Sequence, residues 1–218
     1  RTAFYPGGGG QPCDIGTLSW ASGVADVTKG ARKDGEIVHE LDGLAPAVGT
    51  QVTGTVDWKN RHALMRTHTA LHILCGVIWR EYGAHVTGGN MTPLVARMDF
   101  ELEQMTADFA ESVEALANAE IDAARDIGVR FLRRDAAFAH PDLIRTKINL
   151  LPEGIPEVRV VDIDGLDVQA DGAHDRQRVA PGHGPRFQPV VEPHLTLYQA
   201  VIEVDVHRRR RHPVRDLR

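Results

Sequence analysis

Arg66-Thr67-His68-Thr69-Ala70-Leu71-His72-Ile73-Leu74 is the stretch on which the reading of this chain turns. Its two histidines are four residues apart in a run with helical character. On a helix, such positions lie one above the other on one face, so both imidazoles can converge on one metal ion. Leu71, Leu74, Val77 and Ile78 give the same helix a buried side. A metal needs at least one further ligand, and the best remote candidates are Asp171 and His174. On these residues alone the alternative stays open that His68 and His72 are ordinary helix histidines. The metalloprotease motif is excluded, because Thr69 stands where that motif places its glutamate base.

Outward from this helix, Asp57 to Met65 leads in, and Gly83 is the expected stop after Tyr82. Ile15 to Trp20, Val24 to Lys29, Glu36 to Leu41 and Gln51 to Asp57 read as short strands, punctuated by Gly30, Asp34-Gly35, Asp42-Gly43 and Gly49. Before them, Arg1 to Tyr5 reads as the end of a strand running into Pro6-Gly7-Gly8-Gly9-Gly10-Gln11-Pro12. Consecutive glycines let a ligand approach the main chain, and their amides can form a nest for an anion or a carbonyl. No Gly-Lys-Ser/Thr follows, so this is not a phosphate-binding P-loop. A flexible hairpin turn is the plain alternative.

Beyond Gly83, His85 to Asn90 is expected as a loop and Leu94 to Phe100 as a strand. Glu101 to Arg125 carries Leu102, Met105, Phe109, Val113, Leu116 and Ile121 at helical period, an amphipathic helix packed on a sheet. Val129 to Arg134 reads as a strand and Pro141 to Ile148 as a short helix. Val158 to Ile163 and Leu166 to Gln169 form a hairpin around Asp164-Gly165. Residues 175–218 change texture: Arg, His and Pro dominate, Leu195 to Val206 alone suggests a strand or short helix, and His207-Arg208-Arg209-Arg210-Arg211-His212 is a basic run. The expected state of this segment is a solvated tail.

The chain has 218 residues, is 42% hydrophobic and 25% charged, and carries a formal net charge of −5, so no global basic field announces DNA or RNA. A local basic patch is still enough for phosphate contacts; Lys59, Arg61 and Arg66 flank the metal helix and could meet phosphate, while solvation of the surface explains them equally well. Cys13 and Cys75 make no disulfide framework, which points to a cytoplasmic setting. No apolar run is long enough to span a membrane. The chain opens on Arg1 and not on methionine, which implies residues before it.

Phe4-Tyr5-Pro6 with Gly8-Gly9-Gly10-Gln11-Pro12 and Asp14-Ile15-Gly16 resembles the start of the alanyl-tRNA synthetase editing domain. Arg66 to Leu74 resembles its zinc-binding helix, and Val158-Arg159-Val160-Val161 through Ala170-Asp171-Gly172 the approach to its second metal motif. The likeness covers residues 1–174 and includes no synthetase catalytic domain, so the chain is most similar to free-standing alanyl-tRNA editing proteins of the AlaX type. A related editing domain occurs in threonyl-tRNA synthetases. The resemblance implies an α+β fold: a glycine-rich, β-barrel-like N-terminal part over residues 1–57, an editing core of helices on an antiparallel sheet over 58–174, and a divergent tail over 175–218. It implies ATP-independent, zinc-assisted hydrolysis of mischarged tRNA, typically serine on alanine tRNA. Zn2+ would be held by His68, His72, Asp171 and His174, with Gly8, Gly9, Gly10 and Gln11 lining the aminoacyl pocket. Gln11, Thr67 and Thr69 are the candidate catalytic residues, the threonines for a seryl hydroxyl.

The chain also departs from the pattern. The family's second motif is Cys or Asp followed by Gly-Gly-Thr-His, whereas Asp171-Gly172-Ala173-His174 is one residue shorter. The composition breaks at the same point, which favours a shift of reading frame near Gly172 over divergence. A damaged metal site would make the chain a non-hydrolytic tRNA-binding protein, the alternative to the deacylase.

Overall fold

The computed structural model describes residues 2–102, 104, 106–140, 142–149, 151 and 154–171, with the backbone of 201–206. Its elements are β1 (Gly16–Trp20), β2 (Gly23–Lys33), β3 (Glu36–Asp42), β4 (Thr53–Val56), α1 (Trp58–Tyr82), β5 (Val86–Thr92), β6 (Val95–Phe100), α2 (Ala107–Asp122), β7 (Ile127–Arg133), α3 (Arg134–Phe138), β8 (Glu157–Ile163), β9 (Asp167–Asp171) and β10 (Val201–Val206). The class is α+β, as expected. Apart from Val201–Val206, the Arg/Pro/His-rich tail lies outside the described residues.

The N-terminal sheet runs β3-β2-β1-β4 with antiparallel neighbours. Among the described residues its edges, β3 and β4, do not pair, so the expected barrel-like closure is absent. Along β2 the inward positions are Ala25 and Val27, at the alternation of a half-buried strand, and then Gly30, displaced by the bulge between Val27 and Lys29. The expected strand end over Arg1 to Tyr5 is not one; residues 2–5 are irregular. Phe4, only 1% exposed, anchors them. A Cβ on Gly54 would lie 2.9 Å from the Phe4 ring, so glycine in β4 makes room for it. Buried Asp14 then ties this segment down: Tyr5 N donates to its Oδ2 at 2.5 Å, and Arg61 Nε of α1 donates to its Oδ1 at 2.6 Å. Arg61 Nη2 also donates to Ala3 O at 2.9 Å. Arg61, one of the expected phosphate-facing cations, is thus committed to structure.

Helix α1 is the axis of the molecule. Asp57 caps its start by accepting from Asn60 N at 3.0 Å. Gly83, left-handed at φ 61°, ends it, its N–H bonding Trp79 O. One stretch of α1 packs Leu74, Cys75 and Ile78 against Val86, Phe100 and Val113. Another packs Ile73 and Val77 against Ala117 and Ile121 of α2 and Val161 and Ile163 of β8. The core therefore rests on two three-stranded sheets, β10-β6-β5 and β7-β8-β9, and not on a single one; β10 joins β6 in parallel.

Three further expectations fail for local reasons. His85 to Asn90 is largely strand, because β5 begins at Val86. Gly88 and Gly89 lie in that expected loop, but their missing side chains admit Asp99 Oδ2 at 3.0 Å and Arg97 O at 2.9 Å from where a Cβ would sit. The helix expected from Glu101 starts only at Ala107, capped by Thr106, which accepts from Phe109 N at 3.2 Å. The helix expected over Pro141 to Ile148 does not form among the described residues. Instead Arg145 O accepts from Val86 N, and Lys147 N donates to Val86 O, each at 2.9 Å. Those backbone groups are spent on β5 and not on their own turn. The short helix lies earlier, at α3.

Candidate metal centre

Helix geometry brings His68 and His72 together. Their Nε2 atoms are 3.2 Å apart and their rings stack with centroids at 4.8 Å. The last residue of β9 supplies Asp171, whose Oδ1 is 3.8 Å from His68 Nε2. The three donor atoms lie within 4.8 Å of one another. Gly76 permits this approach: a Cβ there would lie 2.8 Å from Asp167 Cβ on β9, so the strand rests directly on the helix backbone.

The donor set fits a metal. Two nitrogens bound tetrahedrally to one zinc sit about 3.3 Å apart, given metal–nitrogen bonds near 2 Å, and the imidazole spacing matches. Burial, reinforced by the Arg159 charge, pushes His68 down to about 4. Burial, then the charges of His68 and Arg159, push His72 well below its ordinary value, against an opposing hydrogen bond with Gln169. Both rings are therefore neutral at pH 7, the form that ligates. Buried Asp171 adds an oxygen. His174, the fourth expected ligand, lies outside the described residues.

Residues that sequence reasoning missed hold this centre. Arg159 of β8 faces Asp171 across the ladder and is ion-paired with its Oδ2. Gln169 Nε2 donates to His72 O at 3.2 Å and to Asp167 Oδ2 at 2.7 Å. Arg145 Nη2 donates to Asp167 Oδ1 at 2.5 Å, and its guanidinium lies 4.4 Å from the Trp79 ring centroid. The available signal was Asp167-Val168-Gln169-Ala170-Asp171: polar side chains at alternate positions, all three buried. A strand that turns its polar set inward belongs to a network, not to an apolar core.

The glycine loop is more constrained than a free nest. Gly8 and Gln11 exchange backbone hydrogen bonds of 3.0 and 3.1 Å, so their amides are used within the turn. Gly7, Gly8, Gly9 and Gly10 all have positive φ. The loop docks on β5: Gly10 O accepts from Met91 N at 2.9 Å, and a Cβ on Gly10 would lie 2.6 Å from Gly89 O. Met91 in turn packs on Leu71 of α1. The loop and the histidines are thus linked through β5. Gln11 Oε1 is buried with no hydrogen-bond partner among the described residues. Thr67 is 1% exposed, and its hydroxyl donates to Ala63 O and accepts from Leu94 N, both at 2.9 Å. That hydroxyl holds the β5–β6 turn on α1 and is not available to a substrate. Thr69 is half-buried.

No protein-family model matches the chain. It is 38% identical over 177 residues to the alanyl-tRNA editing protein AlaX-M of Saccharolobus solfataricus, covering 79% of this chain and 73% of that protein. It is 36% identical over 180 residues to the AlaX-M protein of Methanosarcina acetivorans, with 79% and 74% covered. The chain belongs to the AlaX-M alanyl-tRNA editing proteins. The alanine–tRNA ligase of Pyrobaculum aerophilum is 37% identical over 179 residues, 79% of this chain but 20% of the ligase. This family member therefore matches one portion of a much larger synthetase, as the resemblance of its motifs implied. No helix among the described residues is long and apolar enough to cross a membrane.

Proposed function

We propose that the chain is a trans-acting aminoacyl-tRNA deacylase that hydrolyses the ester of mischarged tRNA, with seryl-tRNA(Ala) as substrate and zinc as cofactor. The observation that carries this reading is the His68, His72 and Asp171 cluster in a chain of alanyl-tRNA editing kinship. When bound, zinc supplies polarisation of the ester carbonyl or of a water. His68, His72 and Asp171 would hold it. The neutral imidazoles need no deprotonation before binding. Gln11 Oε1, buried and unpartnered among the described residues, positions a water or the amino group of the aminoacyl moiety. Thr69 offers a hydroxyl to the seryl side chain, so alanine, lacking that partner, is spared.

The test is deacylation of seryl-tRNA(Ala) beside alanyl-tRNA(Ala), with metal analysis of the same protein. Preferential release of serine, and loss of both zinc and turnover in His68→Ala, is expected. Zinc-free protein that leaves seryl-tRNA intact ends the proposal. The Arg159 guanidinium on Asp171 favours the second reading, a tRNA-binding protein with a degraded metal site, because a fixed cation beside three donors opposes a dication. Binding of tRNA without turnover is its signature.

A further inference from the structure

We propose that Trp58 and His62 form a stacking platform for the unpaired CCA end of the tRNA acceptor strand, a subsite that rests on the deacylase reading above. Trp58 opens α1 and is 63% exposed. It stacks on His62, one turn on, with ring centroids 5.8 Å apart and planes inclined by 15°. An indole held nearly parallel to an imidazole at the surface presents a flat face to solvent. Sequence-tolerant binding of single-stranded RNA uses such faces, because every base can stack.

The position along α1 selects this ligand. At 1.5 Å per residue, His62 lies about 9 Å and Trp58 about 15 Å from His68 along the helix axis. One extended nucleotide spans roughly the reach of two residues of extended chain, about 7 Å. Along the axis, the platform is thus offset from the metal centre by the reach of one to two nucleotides. Positions 58, 62 and 69 fall on one stripe of the helix, with 66 beside it. Arg66 sits one turn beyond His62 and is half-buried, and exposed Lys59 adjoins Trp58. Cations beside a stacking face suit the phosphates that join the terminal nucleotides.

The probe is the uncharged tetranucleotide ACCA carrying a 5′ fluorophore, read by anisotropy, alongside deacylation kinetics on seryl-tRNA(Ala). Trp58→Ala and Trp58→Leu are expected to weaken ACCA binding about tenfold and to raise KM by a similar factor with kcat little changed. Trp58→Phe, which keeps a ring, should stay close to wild type. Leucine keeps apolar bulk without a π face, so it separates stacking from packing, and decides if the alanine variant fails to fold. ACCA binding by Trp58→Leu as tight as wild type, or no binding by the wild-type protein, overturns the platform. A wild-type chain that binds ACCA through Trp58 yet releases no amino acid removes the deacylase reading and leaves the platform standing.

Discussion

Arg159 and Asp171 are register partners on β8 and β9, and their ion pair uses Asp171 Oδ2 while Oδ1 is the oxygen nearer His68. One carboxylate thus serves two masters, a guanidinium and the candidate metal position. The guanidinium holds the carboxylate in place, but its charge opposes a second cation. Arg159→Gln keeps a hydrogen-bond donor and removes the charge. Zinc affinity, measured by competition with a chelator, should rise about tenfold, a size typical of one neighbouring charge. A fall in affinity would mean that orientation of the carboxylate outweighs repulsion.

The metal-free protein should lose stability in acid because of His68. Its pKa when folded is about 4, against an ordinary 6.5. The unfolded chain therefore binds the extra proton between those values, so stability is full above pH 6.5 and falls as pH drops toward 4. By pH 4 the loss from this group is about 3 kcal/mol. Urea unfolding of the metal-free protein at pH 7 and pH 4 measures it. His68→Gln should flatten the difference by about that amount; an unchanged pH dependence refutes the assignment.

Gly10 is where the glycine loop meets β5. Its φ is +84°, and an added Cβ would lie 2.6 Å from Gly89 O, a backbone atom with little freedom to yield. Gly10→Ala should cost about 2 kcal/mol in strain and steric repulsion. The larger effect should be on turnover, since the loop must leave β5, while zinc content stays at the wild-type level. Equal activity in the variant would detach the loop from the reaction.

Removing Arg61 should do more harm to folding than its surface position suggests. Asp14 is 1% exposed, and Arg61 neutralises it. Arg61→Ala leaves a buried carboxylate uncompensated, at roughly 3 kcal/mol. The double variant Arg61→Ala with Asp14→Asn should regain part of that loss in thermal unfolding; no recovery would show that the pair is not the source.

The legible parts of the molecule were those with a local rule behind them. The spacing of His68 and His72 is a property of any helix, and Gly83 and Asp164-Gly165 end elements by their own backbone freedom. Asp171 stood out by residue type and by kinship of motif, not by spacing. What stayed hidden depended on partners distant in sequence. Gly88-Gly89 reads as loop until Asp99 and Arg97 O are seen filling the space. Pro141 to Ile148 reads as helix on its own, but Val86 takes the carbonyl of Arg145 and the amide of Lys147. Arg159 carries no mark in its own strand, because only the β8–β9 register sets it opposite Asp171.

Arg61, which fastens the N-terminal segment through Asp14, and the two imidazoles all project from α1. A single rod thereby fixes the phase between the module that bears the glycines and the trio that would grip the ion. Inserting one residue between positions 62 and 67 would swing one attachment by about 100° around the axis relative to the other. Both halves would keep their own hydrogen bonds and lose their common alignment.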